Sequence, residues 1–335
     1  MMKLAPLVLV AAMAASSAAI AQEHVWKMGH IPATDSSYLK IVGSIPDRIA
    51  KATGGKVKVE PHPTLVKGPQ QPAALRDGRL EMTMGVNPWL SGEAPILNIG
   101  HLPGLIKDEN EYRKVMDAGL KEDFAKVWAD KYNGVMLATG VWEDQVILSN
   151  KELRKADDFK GMKVRVHNTE AAQLMNALGA KPTPVVYEEM ALSLQRGIVD
   201  VVMTSCGTSH GFGFYTVAKY IHVWKIGTAI GWSAVVNKDA WAKLSPDLQK
   251  AVAAEFKAIE DDHYKVHRKY SDDMIQKQVD KGMTLIRASD EEIAKVFSPQ
   301  NVEVVYEAFY KLAAERGFDG KAVVEKARKI VGQIN

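Results

Sequence analysis

Apolar residues recur at two spacings along this chain, and the two spacings alternate over most of its length. An apolar residue every three or four positions describes one face of a helix; one at every second position describes a half-buried strand. Their alternation predicts an α/β architecture. Residues 24–30 read as a strand, 33–38 as a loop of small and hydroxylic residues, and 38–53 as a helix. Gly54-Gly55 stops that helix, because glycine enters the left-handed C-terminal conformation freely. Lys56-Val-Lys-Val-Glu60 then alternates as a strand. The same unit repeats: helix 70–76 and strand 80–84, helix 109–132 and strand 135–138. Strand 161–166, helix 170–178, helix 188–196 and strand 198–203 continue the series.

One element breaks the scale of the rest. Ser245-Pro246 combines a hydroxyl N-cap with proline in the first turn, a strong helix start. The helical pattern then runs to Lys281, before Gly282, and such a helix is about 50 Å long. Several positions of its stripe are polar, His263 among them, so the seam is not that of a coiled coil. A helix that spans two lobes fits the pattern better.

Composition narrows the setting. Lys3 precedes an apolar run from Leu4 to Ile20, and Ala19-Ile20-Ala21 offers a small-x-small cleavage site before Gln22. Residues 1–21 are therefore expected to be a cleaved signal peptide that directs the protein to the periplasm. The run is shorter than the roughly 20 apolar residues a membrane span needs. No cysteine lies near the cleavage site, which argues against a lipid anchor. The 335-residue chain leaves enough length for two domains after cleavage. Lys+Arg number 43 against 40 Asp+Glu, too balanced to point to nucleic acid or a membrane surface. Cys206 is the single cysteine, so no intramolecular disulfide is expected, and the thiol is expected to be buried.

The segment from Asp158 to Asn168 reads Asp-Phe-Lys-Gly-Met-Lys-Val-Arg-Val-His-Asn. It leads into Leu178-Gly-Ala-Lys-Pro-Thr-Pro184 and then Glu188-Glu-Met-Ala-Leu-Ser-Leu-Gln-Arg-Gly-Ile-Val-Asp200. In this order the three pieces resemble the solute-binding subunit of TRAP transporters, the tripartite ATP-independent periplasmic systems (DctP family). Ser149-Asn150 and the Leu244-Ser-Pro-Asp-Leu248 helix start extend the resemblance over the mature chain. It implies a two-lobed α/β periplasmic binding protein fold with crossover strands and a long interlobe helix. The implied lobes are residues 22–141 with 232–269 and residues 142–231 with 270–335. The implied function is capture of a small organic carboxylate and its delivery to sodium-driven membrane permease subunits. The protein is expected to act as a monomer, without cofactor, metal or nucleic acid, and not as an enzyme. A periplasmic ligand-sensing subunit of a receptor is the alternative that shares every residue named, and a periplasmic enzyme is the remoter one.

Arg165 is the central candidate. In Met162-Lys-Val-Arg-Val166 the alternation places Lys163 and Arg165 on one face, near the strand end where α/β folds open their ligand crevice. A guanidinium presents a rigid fork that matches a carboxylate. The resemblance adds Gln145, where sialate-binding members carry a second arginine, and Thr204, in place of a ligand-contacting asparagine. It also places Tyr187 in the pocket wall. Asn87 and Trp89 follow a strand at another crevice edge; Trp232 and His30 complete the expected set. With Arg165 as the one firm cation, two widely separated carboxylates are disfavoured. Trp89, Trp142, Trp224 and Trp232 each lie beside a strand end, and two of them in the wall would suit a flat acid. An aromatic, hydroxy or keto monocarboxylate is the favoured ligand, with a C4-dicarboxylate next.

Other constellations carry less. His263 and His267 lie four apart on the long helix, a spacing that can bind metal, but no third ligand is evident. Gly211-Phe-Gly213 lacks a phosphate-binding context. Ser205 and His210 are close in sequence as a nucleophile and base would be, and equally as helix neighbours are.

Overall fold

The computed structural model describes residues 24–32, 35–227 and 229–334. The expected signal peptide, with its cleavage before Gln22, lies outside them, as do Ala33 and Thr34 of the expected loop. Eleven strands are described: β1 (His24–Gly29), β2 (Val57–His62), β3 (Met82–Val86), β4 (Gly134–Val141), β5 (Gln145–Ser149), β6 (Lys163–Arg165), β7 (Lys181–Thr183), β8 (Val201–Ser205), β9 (Tyr220–Val223), β10 (Gly231–Asn237) and β11 (Thr284–Arg287). They form two sheets, ordered β2-β1-β3-β10-β4 and β11-β9-β5-β8-β6-β7. Each sheet contains one antiparallel strand, β10 in the first and β5 in the second. Both are strands that the chain enters as it crosses from one sheet to the other.

The long helix expected from Ser245-Pro246 is present as Pro246–Asp280, capped by the Ser245 hydroxyl. Its first half buries Val252, Phe256 and Ile259 in a core shared with Trp26, Ile45, Ala138 and Ala234 of the first sheet. Its second half buries Tyr270, Met274 and Ile275 with Val146, Val202 and Ile221 of the second. Helix Pro299–Glu315 adds Val305, Tyr306 and Phe309 to a third cluster, which joins Leu97 and Tyr112 to Val164 and Leu174.

Two boundaries differ from expectation for one reason. Strands expected at 80–84 and 198–203 begin two or three residues later. The Arg79 N–H donates to Ala74 O, and the Ile198 N–H donates to Ser193 O. These bonds cap the preceding helices, so residues that alternate like a strand serve as helix stops. The helix expected at 109–132 is interrupted, because Gly119 sits at φ 121° inside a widened turn at Met116–Leu120.

Between β4 and β5 the chain leaves one sheet for the other, and its peptide groups there need partners. The long helix supplies them at four-residue intervals. His263 Nε2 accepts the Val141 N–H (3.3 Å), His267 Nε2–H donates to Trp142 O (3.0 Å), and Ser271 Oγ accepts the Asp144 N–H (3.2 Å). Arg268 pairs with Asp144 at 2.6 Å. The second crossover is tied to the first, since the Trp142 N–H donates to Ile230 O. The two histidines singled out for their spacing thus hold backbone. Among the described residues no group of three or more potential metal ligands occurs.

Gly140 sits where β4, β10 and the long helix meet. A Cβ there would lie 2.4 Å from a Trp232 ring carbon and 2.8 Å from the His263 ring. Gly140→Ala is expected to destabilise the protein by about 1–3 kcal/mol, the usual cost of overpacking a filled core. Guanidinium unfolding would read this directly, and an unchanged midpoint would contradict the packing described.

Candidate functional site

The carboxyl ends of several parallel strands converge between the two sheets, where open α/β folds place their ligands. Ile31 follows β1, Val86 ends β3, Arg165 ends β6 and Thr204 lies near the end of β8. The crossovers add Trp142, Gln145 and Ile230. Together with Pro88, Trp89, His167, Tyr187, Ser205 and Thr208 they line a cavity of about 50 Å³. Trp89, Arg165, His167 and Tyr187 also border a larger opening of about 760 Å³, which continues past Thr64 and Val185.

Arg165 is 4% exposed. One amino group donates to Met203 O at 2.8 Å, and its Nε–H has no partner. No carboxylate pairs with it among the described residues. Burial pushes its pKa down to about 10, so it remains a cation at neutral pH. The surrounding residues thus leave the guanidinium almost no contact with solvent. The cavity therefore presents an uncompensated positive charge, and the group that satisfies it best is an anion.

Aromatic rings close the cavity on two sides. Trp142 stacks on Tyr38 with ring centroids 4.4 Å apart. Tyr187 packs edge-on against Trp89 and Phe212, and its hydroxyl reaches Thr208 Oγ1 at 3.5 Å. Burial raises the Tyr187 pKa to about 12, leaving a neutral hydroxyl. Gln145 donates from Nε2 to the Glu143 carbonyl at 3.2 Å.

Of the eight residues expected from sequence, five share this cavity: Arg165, Gln145, Thr204, Tyr187 and Trp89. Three do not line it. Asn87 is fully buried and accepts the Ser233 hydroxyl at 2.9 Å, while its neighbours Val86, Pro88 and Trp89 form the wall. Trp232 packs edge-on against His263 in the core, so that Ile230 lines the cavity in its stead. His30 bonds through Nδ1 to Ile31 O, and the Ile31 side chain takes the lining position. Trp224 is also a core residue, packed on Phe159. Sequence reasoning missed His167, Ser205 and Thr208 as lining residues. His167 lies two positions beyond Arg165, in the bend that follows β6, where alternation no longer fixes which way a side chain points. Ser205 caps the short helix Cys206–Gly211, and His210 bonds to Asp35, so the two do not form a nucleophile–base pair. Cys206 is buried as expected.

A two-lobed α/β receptor with its cleft between two sheets is the class that this architecture defines. Residues 28–312 match the family model for bacterial extracellular solute-binding protein, family 7 (DctP), and the chain belongs to that family. The resemblance to TRAP solute-binding subunits is thereby borne out. The C4-dicarboxylate-binding periplasmic protein DctP of Rhodobacter capsulatus is 29% identical, covering 72% of this chain and 74% of its own. A solute-binding protein of Roseobacter denitrificans is 27% identical over 74% of this chain and 77% of its own. An extracytoplasmic solute receptor of Bordetella pertussis that binds pyroglutamic acid has the same fold, with TM-score 0.82 and 21% identity, covering 91% of this chain and 99% of its own. So does a TRAP periplasmic solute-binding protein of Desulfovibrio salexigens with bound orotic acid, with TM-score 0.82, 20% identity and the same coverage. Among the described residues no helix is long and apolar enough to cross a membrane.

Beside the cleft, Ser91 Oγ meets Thr169 Oγ1 at 3.3 Å, and Asn98 Nδ2 donates to Glu170 Oε2 at 2.6 Å. Burial raises the Glu170 pKa from its usual value to about 7. The folded protein therefore binds this proton more tightly than the unfolded chain does. Stability from this group should rise as pH falls from about 8 to about 5, and reach its full value below the unfolded carboxyl pKa. Glu170→Gln should remove that component. Thermal melts across this range would show a flatter profile in the variant, and parallel profiles would count against it.

Proposed function

We propose that the cleft captures a small organic carboxylate in the periplasm, with Arg165 gripping the carboxylate, and that the loaded protein delivers it to a sodium-driven membrane permease. The observation that carries this reading is the buried guanidinium, held by one backbone carbonyl and facing a cavity with no acidic partner among the described residues. Gln145, Thr204, Thr208 and Tyr187 offer neutral hydrogen-bonding groups around it, and Trp89 and Trp142 offer flat apolar faces. An aromatic, hydroxy or keto monocarboxylate suits this lining better than a C4-dicarboxylate, because among the described residues no second cationic side chain lines this cavity. Neighbours with bound pyroglutamate and orotate, both cyclic monocarboxylates, support that choice. The neighbour from Sulfurospirillum deleyianum with bound succinate keeps the dicarboxylate as the second candidate. The ligand is released unchanged, so the protein works as a receptor.

Arg165→Ala should weaken carboxylate binding by about 2–5 kcal/mol, as removal of one partner of a buried charge pair does. That corresponds to roughly 30-fold to several-thousand-fold in affinity. Arg165→Lys keeps the charge and loses the fork, so it should also bind clearly worse. The empty Arg165→Ala protein should be at least as stable as wild type, because a desolvated charge has been removed. Calorimetry across a set of organic acids, with melting curves, tests both statements. Near wild-type affinity in Arg165→Ala would remove the centre of the reading.

On this reading residues 22–141 with 232–269 and residues 142–231 with 270–335 form two lobes that close on the ligand. A ligand favours the closed state only through contacts it makes better there than in the open one. Saturating ligand should therefore compact the protein in small-angle X-ray scattering. Identical curves with and without ligand would argue against closure.

A further inference from the structure

Two neighbouring histidines beside the ligand cavity have no assigned role. His167, two residues beyond Arg165, lines the ligand cavity; His101 lies behind it, with the ring centroids 5.1 Å apart and the planes nearly perpendicular. His101 is 4% exposed, and none of the four ring nitrogens has a hydrogen-bond partner in good geometry; the one backbone group close to the His167 ring is that of Met203. Gly227 holds the back of the pair, where a Cβ would lie 2.7 Å from the His101 ring and 3.2 Å from Gln145.

A buried imidazole with both nitrogens unpaired forfeits hydrogen bonds it would have in water. Around His167 the charged form is disfavoured first by burial, then by His101 and Arg165. The ring is thus neutral, with one N–H donor and one acceptor nitrogen. The Arg165 guanidinium also disfavours a metal cation between the rings. What remains is a small polar group brought in by the ligand.

We propose that His167 is a specificity-determining ligand contact, binding a hydroxyl, keto or ring N–H group on the carbon next to the carboxylate that Arg165 holds. This rests on the proposed Arg165 clamp. Arg165 and His167 are two residues apart in the chain and line the same cavity, so one small ligand can reach both side chains. A neutral imidazole accepts from a hydroxyl or ring N–H, or donates to a keto oxygen. An unsubstituted acid leaves the ring nitrogens buried and unpaired, and the site rejects it for that reason. His101 is a positioning residue: its edge-on contact fixes the plane of the His167 ring.

The test compares acids that differ by one 2-hydroxyl: mandelate against phenylacetate, 3-phenyllactate against 3-phenylpropionate, and lactate against propionate. Calorimetry on the full mature chain should give the hydroxy acid of at least one pair a tenfold or greater advantage. In His167→Leu that ratio should fall to near one. His167→Asn, which keeps a donor and an acceptor, should retain part of it. In uniformly histidine-15N-labelled wild-type protein, the hydroxy acid should shift the His167 ring nitrogens beyond the shift its deoxy partner causes, a readout that needs no variant. Equal affinities within every pair, or a ratio that survives His167→Leu, would overturn the histidine contact while leaving the Arg165 clamp standing. Failure of every acid to bind would overturn both.

Discussion

The crossover from β4 to β5 is the constraint on which the rest of this structure depends. Between two sheets its peptide groups lose their ladder partners, and buried unpaired groups of this kind are costly. His263, His267 and Ser271 meet that need from one stripe of the long helix. Burial pushes the His263 pKa down to about 3, which keeps the ring neutral and its Nε2 free to accept the Val141 N–H. Because the donors and acceptors stand on a rigid rod, the path of residues 141–144 is fixed from behind. Trp142 and Gln145, at the two ends of that path, are set in the cleft by contacts that lie outside it.

The cleft adds a second, opposing constraint. A guanidinium taken out of water with one backbone partner raises the free energy of the empty, closed arrangement. Water reaching the charge in a more open arrangement would lower it. An anion in the cavity reverses the balance, since the pair is strong where the surroundings exclude water. On the proposed reading, the charge that grips the ligand is thus the one that penalises closing without it. The aromatic walls contribute area in either case; on that reading the charge makes closure conditional on what has been caught.

Much of this was legible in the sequence, for identifiable reasons. Helix and strand periods give the alternation, and Ser245-Pro246 announces the long helix almost to the residue. Arg165 was accessible through alternation within β6 and the surrounding motif. Asn87, Trp232 and His30 show where such reading stops. Each is adjacent to a lining residue or within two positions of one. At a strand end the pleat gives way to a turn, so sequence fixes which segment reaches the cleft but not which side chain enters it. His167 was missed for a different reason. It lies in the bend after β6, and nothing in the sequence marks it until the cavity beside Arg165 is seen.

The histidines four apart on the long helix carry the same lesson further. A spacing of four puts two imidazoles on one helix face, suited to sharing a metal ion or to gripping nearby peptide groups. Spacing alone cannot separate these uses, because both need two nitrogens aimed the same way. What separates them is the next member of the series. Ser271, four residues beyond His267, continues the stripe with a hydroxyl, a poor partner for a histidine-bound metal and a good one for an amide N–H. A stripe that continues as a ladder of hydrogen-bonding groups matches a strand-like run of backbone, whereas a metal needs its ligands to converge on one point. In this chain the series diverges along the helix, and the crossover lies along it.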